Sequence, residues 1–330
     1  MNIERFSAAL ALVALSASGA FAAPATGADT AKDYPDRPIR MLVPNAPGSS
    51  VDTLSRIIGA KLADILGQQV VIDNRAGAAG VIGMELAKHA NPDGYTMISA
   101  TTAASTIARI LQKNPTFDPV NDYDHVAQFA ETPNVLVVHP SLPVKSVKEL
   151  IDYCKAKQGQ VNMASAGSGS QSHLSGAYFL QAANFPSLHV PYKGGGPSVG
   201  AVIGNESQWT LTPAPAVMTH VNSGRVRAIG HSLPRRSPLL GDMPAIAETI
   251  KGFDYSGWQG FFMPKGTPKA ISAKLRAAVT KTAESPDFKK LMDVQATEIV
   301  LRGPEEFRKV VQESMAKNAK VVQAVGLKAE

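Results

Sequence analysis

A chain of 330 residues with 44% hydrophobic side chains is long enough to bury the cores of two α/β domains. Its formal net charge is +6, but the basic residues are scattered along the sequence, which argues against the clustered patch that nucleic-acid binding requires. A single cysteine, Cys154, excludes an intrachain disulfide and a cysteine-based metal site.

The first 22 residues have the layout of a secretory signal peptide. Arg5 precedes a short apolar run at 8–15, and an A-x-A tripeptide ends at Ala22. The apolar run is too short to span a bilayer, which takes about 20 apolar residues. We therefore expect cleavage near Ala22 and export of a soluble protein; a buried N-terminal helix is the alternative.

Residues 23–36 are rich in Ala, Thr, Asp and Pro and are expected to form an exposed lead-in. From Ile39 onward, apolar runs with strand and helix periodicity alternate with short connections. Strands are predicted at 39–43, 69–73, 95–100, 135–138, 160–165, 187–192, 207–212, 226–231, 257–263 and 297–301. Helices are predicted at 51–66, 80–89, 103–112, 146–157, 172–183, 197–203, 215–222, 268–284, 286–293 and 304–325. This alternation predicts an α/β fold whose sheets are mostly parallel, with ligands bound at the carboxyl ends of the strands.

Two of the predicted strands end in a Gly/Ser loop that leads into a helix. The first loop is Pro47-Gly48-Ser49-Ser50, and the second runs from Ser165 to Ser170. A helix N-terminus leaves backbone N–H groups unpaired and carries a partial positive charge, so small residues there let an anion approach. The pair of loops predicts two anion-binding edges that face each other across a cleft. Ordinary helix capping is the alternative for each loop taken alone.

Other kinds of site have less support in the sequence. The first loop lacks a Walker lysine and a G-x-G-x-x-G fingerprint, and the histidines show no H-E-x-x-H spacing, so neither a nucleotide nor a metal is expected. Ser168 or Ser170 with His173 as base would make a hydrolase, but the G-x-S-x-G elbow is absent. In a third glycine loop, Tyr192 could flank a ligand and Lys193 could attract a carboxylate, or the loop could be a plain turn.

Motifs spread over nearly the whole chain resemble one family. In order, they include Tyr34-Pro35-x-Arg37-Pro38-Ile39, Pro47-Gly48-x-x-x-Asp52, Asn74-Arg75-x-Gly77, Pro92-Asp93-Gly94-Tyr95, Gly167-x-Gly169-x-x-x-His173-Leu174, Val190-Pro191-Tyr192-Lys193-Gly194 and Trp258-x-Gly260. Each motif is weak alone, but the ordered set behind an export signal is specific. By this set of motifs, the chain resembles the Bug-type extracytoplasmic solute receptors of tripartite tricarboxylate transporters.

The resemblance implies a type II periplasmic binding protein fold, in which a ligand cleft separates two α/β lobes. The first lobe would comprise 37–134 and 256–330, and the second 135–255. The protein would be a periplasmic receptor rather than an enzyme. It would capture a small organic carboxylate without a metal or cofactor and deliver it to the membrane subunits of a transporter. A monomer that binds no nucleic acid is expected.

The resemblance also implies which residues contact the solute. First-lobe contacts would be Pro47, Gly48, Ser49, Ser50, Asp52, Thr101 and Thr102, and second-lobe contacts would be Ser165, Ser168, Gly169, Ser170, His173 and Tyr192. The family's usual Pro-Gly-Gly is Pro47-Gly48-Ser49 here, and Asn45-Ala46 replaces a common aromatic residue. These changes concern the choice of ligand rather than the fold. A sensory receptor for a membrane kinase and an exported Ser–His hydrolase are the alternative functions.

Overall fold

Ten strands form the framework of the structure, a computed structural model that describes residues 32–328. They are β1 (Ile39–Val43), β2 (Val70–Asn74), β3 (Thr96–Thr101), β4 (Tyr123–Val138), β5 (Asn162–Ser165), β6 (Leu188–Pro191), β7 (Trp209–Pro213), β8 (Arg227–His231), β9 (Ser256–Pro264) and β10 (Glu298–Arg302). The predicted signal peptide, its cleavage near Ala22 and most of the lead-in lie outside the described residues. Within the lead-in, the Tyr34 side chain is buried, and its hydroxyl donates to the Gly94 carbonyl at 2.7 Å.

Ten α-helices connect or flank these strands within residues 32–328. They are α1 (Ser50–Leu66), α2 (Val81–Lys88), α3 (Ala108–Ile110), α4 (Val147–Ala156), α5 (Gln171–Ala183), α6 (Gly195–Ile203), α7 (Met218–Asn222), α8 (Lys269–Ala283), α9 (Pro286–Val294) and α10 (Pro304–Ala324). A π-helical turn at Thr102–Ile107 precedes α3, and a 3-10 turn at Ala214–Ala216 precedes α7. In the part of the chain that the structure describes, no helix is both long and apolar enough to cross a bilayer.

The long strand β4 belongs to two sheets. Its residues 123–133 pair antiparallel with β9, whereas residues 134–138 pair antiparallel with β7 and β8. The first sheet has the order β2-β1-β3-β9-β4 with β10 beyond β4, and the second has the order β6-β5-β7-β4-β8. We call the structure around these two sheets the first lobe and the second lobe. The chain passes between them within β4 and returns at β9.

Each lobe has its own apolar core, and α10 contributes to both. Helices α1 and α8 pack on the first sheet, where Leu54 and Leu275 meet Phe261. In the second lobe, Phe179 and the buried Cys154 share a core with Trp209. Near the start of α10, Phe307 and Val311 join first-lobe residues, whereas Val321 and Val322 near its end join the second-lobe core. Helix α10 therefore packs on both lobes.

Three predicted elements and the predicted strand directions differ from the structure. The sheets are mixed rather than mostly parallel: within residues 32–328, four strand pairings are parallel and five are antiparallel, because β4 and β9 run against their neighbours. The helix predicted at 215–222 is the 3-10 turn followed by the short α7. The strand predicted at 135–138 is the end of the 16-residue β4, and the helix predicted at 103–112 is a π-helical turn followed by the short α3. The pairing of β4 with β9 shifts between His125 and Ala127 and again between Gln128 and Ala130. Such irregularities break the alternation of side chains by which a strand is recognised in a sequence.

Candidate functional site

A cavity of about 470 Å³ lies between the two lobes. Its walls are the segments that follow the carboxyl ends of β1, β2 and β3 in the first lobe and of β5, β6 and β7 in the second. Thr132 of β4 and residues 257–259 of β9 form its floor. The cavity therefore lies where ligands bind in parallel α/β sheets.

Three helix N-termini and the start of the π-helical turn open onto this cavity. Ser49 caps α1 by accepting from the backbone N–H of Asp52, and Ser170 caps α5 by accepting from that of His173. Gly194 occupies the corresponding position before α6. The backbone N–H groups and the positive ends of the helix dipoles make this a favourable place for a negative charge.

The cavity wall carries little charge of its own. Among the described residues that line it, Lys193 has the only charged side chain, and none is a carboxylate. Most of the other lining residues are Ala, Gly, Ser, Thr or Pro, whose short side chains leave the backbone accessible. An anion of modest size fits this environment better than a cation does.

The structure places the predicted contact residues in two layers. Six line the cavity: Ser49, Ser50, Thr101, Thr102, Ser168 and Ser170. The other seven do not line it but belong to the same loops or to their immediate supports: Pro47, Gly48, Asp52, Ser165, Gly169, His173 and Tyr192. The second layer shapes the loops that the first layer presents to the cavity.

Asp52 is a buried carboxylate that fixes the shape of the first loop. It accepts hydrogen bonds from the Gly48 backbone N–H at 2.9 Å, from Arg56 Nε at 3.1 Å and from Asn74 Nδ2 at 3.0 Å. Burial disfavours the ionised form, but these hydrogen bonds outweigh it and hold the pKa of Asp52 below its ordinary value. Asn74 also donates to the Asn45 carbonyl at 3.0 Å, so the same network holds a residue of the cavity wall.

His173 supports the second loop from behind. Its Nδ1 accepts from the Gly169 backbone N–H at 3.0 Å, and its ring stacks on His189 with centroids 3.9 Å apart. Burial, with a smaller contribution from His189, lowers the pKa of His173 to about 4. At neutral pH the ring is therefore uncharged, with Nδ1 available as an acceptor.

No serine–histidine arrangement of a hydrolase forms in this loop. Ser170 Oγ contacts the backbone N–H of His173 rather than its ring. Ser165 Oγ does lie 2.7 Å from His189 Nε2, but Ser165 is fully buried. An esterase would need its nucleophile exposed to the substrate.

The neutral state of His173 makes the stability of the fold sensitive to acid. Because the pKa of His173 is lower in the folded protein than its unfolded value of 6.5, the unfolded chain binds a proton more readily. The contribution of His173 to the free energy of unfolding is therefore fully present above pH 6.5 and is lost as the pH falls toward 4. The wild type should lose free energy of unfolding between pH 7.5 and pH 5, and His173→Asn should lose about 2 kcal/mol less over the same range. Urea unfolding at the two pH values measures both losses. His139→Asn, at a surface turn, is the control. An unchanged pH dependence in His173→Asn would contradict this assignment.

The two lobes approach each other closely beside the cavity. A Cβ built on Gly195 would lie 3.4 Å from Ser49 Cα, and one built on Gly194 would lie 3.1 Å from Ala46 Cβ. Elsewhere, a Cβ on Gly169 would lie 2.8 Å from Leu111 Cδ1. In each of these contacts one partner is a glycine, and the close approach of the lobes leaves little room for a side chain at that position.

Several lining residues were not among the predicted contacts. They include Asn45, Ala46, the 76–80 loop, Gln171, Gly194, Gly195 and the β9 residues 257–259. Ala79 and Gly80 have positive φ angles of 55° and 105°, so their loop turns sharply at the cavity edge. Glycines in the 76–80 loop were the available signal, but packing of neighbouring elements explains glycine equally well.

No metal centre forms in the described part of the chain. Within residues 32–328, no group of three or more histidine, cysteine, aspartate or glutamate side chains is close enough to hold an ion. The lining residues likewise offer a single cation and neutral groups only.

Comparison with known proteins decides the family. The model of the tripartite tricarboxylate transporter family receptor, TctC, matches residues 54–327. The chain belongs to this receptor family. Protein BugT of Bordetella pertussis is 33% identical to the receptor over 330 residues, which cover 99% of each chain. The predicted resemblance to Bug-type receptors is confirmed.

Solved structures show the same fold. The periplasmic binding protein BugD matches the receptor with a TM-score of 0.84 at 30% identity, covering 90% of this chain and 100% of BugD. Rpa4515 of R. palustris, solved with adipate, matches with a TM-score of 0.86 at 30% identity, covering 89% of this chain and 99% of Rpa4515. The predicted periplasmic binding protein fold, with its two α/β lobes, is confirmed.

Proposed function

We propose that the receptor binds a small organic carboxylate between its lobes in the periplasm and delivers it to the membrane subunits of a tripartite tricarboxylate-type transporter. The observation that carries the proposal is the convergence of helix N-termini and Lys193 on a cavity whose described lining residues include no carboxylate. The adipate bound to the related Rpa4515 supports the same class of ligand.

Binding would act by joining the lobes. The first lobe, 37–134 with 256–330, and the second, 135–255, are proposed as the moving units. The partners of β4 change between Pro133 and Asn134, one residue before this boundary, which supports the division. A solute held by Ser49 and Thr101 on one side and by Ser168 and Ser170 on the other contacts both lobes only when they are together. Such differential contact stabilises the closed form, which the membrane subunits would recognise.

The proposal includes three further points. The mature chain would begin after Ala22, it would act as a monomer, and it would catalyse no reaction and require no cofactor. Membership of a receptor family supports the absence of catalysis, as does the use of Ser170 and His173 within the loop itself.

A thermal-shift panel tests the proposed ligand class. Mono-, di- and tricarboxylates at concentrations about a hundredfold above Kd should raise Tm by several degrees, whereas the matching neutral amides and alcohols should not. Failure of every carboxylate to stabilise the protein would overturn the proposal.

Lys193→Met probes the charge at the cavity. We expect it to raise the Kd for the best carboxylate about three- to tenfold, because an exposed ammonium near a carboxylate contributes only modestly in water. Lys155→Met, on the exposed face of α4, is the matched control. Isothermal titration at low and high salt measures both, and equal affinities in the two variants would contradict a role for Lys193.

A further inference from the structure

Gln171 is a buried polar residue on the cavity wall whose side chain has no protein partner. It is 8% exposed, and neither Oε1 nor Nε2 makes a hydrogen bond to any residue that the structure describes. Buried amides are nearly always paired, because leaving them unpaired is costly. The missing partner is therefore expected to come from outside the chain.

The carboxamide lies at the floor of the cavity. Gln171 is the first residue of α5, and its Nε2 would be 3.3 Å from a Cβ built on Gly257 of β9. The nearby Thr102 Oγ1 already accepts from the Trp258 backbone N–H at 2.9 Å. Gln171 thus reaches from the second lobe to the strand by which the chain returns to the first.

A second glutamine on the same floor shows the contrast. Gln259 Nε2 donates to Ser99 Oγ at 2.7 Å, and Ser55 Oγ and the Val51 carbonyl each lie 3.2 Å from it. The described chain therefore provides partners for Gln259 Nε2 but none for either polar atom of the Gln171 side chain. This difference marks Gln171 as a buried, unpaired amide on the cavity floor.

We propose that Gln171 determines specificity by pairing with an uncharged group of the ligand that both donates and accepts hydrogen bonds, such as a carboxamide. This inference rests on the proposed binding of a carboxylate in the same cavity. A ligand carboxamide would satisfy both Oε1 and Nε2, whereas a second carboxylate would satisfy Nε2 and place negative charge against Oε1. One carboxylate also matches the single charged side chain, Lys193, among the described lining residues. The ligand class is an amide-bearing monocarboxylate.

Matched acids of four to six carbons test the assignment by isothermal titration with the mature protein. In each set one end is a carboxylate, and the other end is a carboxamide, a carboxylate or a methyl group. We expect the wild type to bind the amide acid at least about tenfold more tightly than the other two acids, because a site built for hydrogen bonding rejects a ligand that leaves its groups unpaired.

Two variants separate specificity from folding. Gln171→Met keeps the length of the side chain and removes its polar atoms, so it should bind the amide acid and the methyl acid equally. In urea unfolding without ligand it should be at least as stable as the wild type, because it removes a buried unpaired amide. Gln171→Glu should retain the amide acid, whose N–H groups can still donate, and should bind the diacid more weakly than the wild type does.

The outcomes distinguish the two proposals. Absence of binding by any acid in the wider carboxylate panel would overturn the proposed function itself. Carboxylate binding with a preference for the diacid or the methyl acid would overturn the role of Gln171 alone. An equal loss of affinity for all three acids in Gln171→Met would also overturn it, because that pattern reflects a structural role.

Discussion

Gly195→Val should weaken carboxylate binding by more than about tenfold while leaving the receptor folded. Gly195 is the first residue of α6, and a Cβ there would already lie 3.4 Å from Ser49 Cα in the other lobe. The branches of a valine extend beyond that point and would hold the lobes apart. Part of the favourable free energy of ligand binding would then be offset by the cost of displacing the loop at 46–49, so the affinity would fall.

Gly200→Val supplies the matched control for this effect. Gly200 lies in the same helix, and no atom outside its own helix backbone approaches within 4 Å of a Cβ built there. Titration calorimetry should therefore show wild-type affinity for Gly200→Val and a loss for Gly195→Val, with similar urea unfolding of both. Equal affinity of the two variants would show that close approach at Gly195 is unimportant for binding.

Gly260→Ala should destabilise the receptor by about 3 kcal/mol. A Cβ on Gly260 would lie 2.4 Å from Phe307 Cζ and 2.6 Å from the Ala127 carbonyl oxygen. The carbonyl belongs to the neighbouring strand β4 and cannot move without breaking the pairing of β4 with β9. Phe307 is held between Trp258 and Phe262, so its ring has no free space either.

Urea unfolding followed by far-UV circular dichroism measures this loss. Gly200→Ala is the reference, since alanine at an exposed helix position should stabilise the protein by up to about 1 kcal/mol. A Gly260→Ala variant as stable as the wild type would mean that β4 and β9 can separate locally at no cost.

Local sequence signals were sufficient for most of the elements because those elements follow their own periodicity. Helix α1 shows this well: its buried residues Leu54, Ile58 and Leu62 recur every four positions, and Ser49 caps its start. The first half of β4 could not be recognised in this way. Its polar residues form hydrogen bonds with residues that are distant in the sequence; for example, Arg302 Nη1 donates to Gln128 Oε1 at 2.8 Å. A bond between residues so far apart leaves no local pattern.

The same distinction applies to the candidate site: some of its residues have a local signal in the sequence, and others depend on tertiary structure. A loop that follows a strand and begins a helix has a local signature, and Ser49 and Ser170, which lie in two such loops, both line the cavity. The sequence also shows that His173 belongs to the second loop, but not which way its ring points; in the structure the ring lies behind the loop and accepts from the Gly169 backbone N–H. Gln171 carries no local signal at all, since its significance is the lack of a partner in the folded chain. Only tertiary structure reveals such an absence.

The sharing of β4 between the two sheets has a consequence for how the receptor unfolds. If either lobe melted alone, half of this 16-residue strand would lose its neighbours while the other half stayed paired, and α10 would be stripped from one of its two cores. Both events expose apolar surface and break ladder hydrogen bonds without releasing a whole strand or helix. The cooperative unit of this protein is therefore the entire described chain rather than the lobe, although the lobe is the unit that we propose to move on binding.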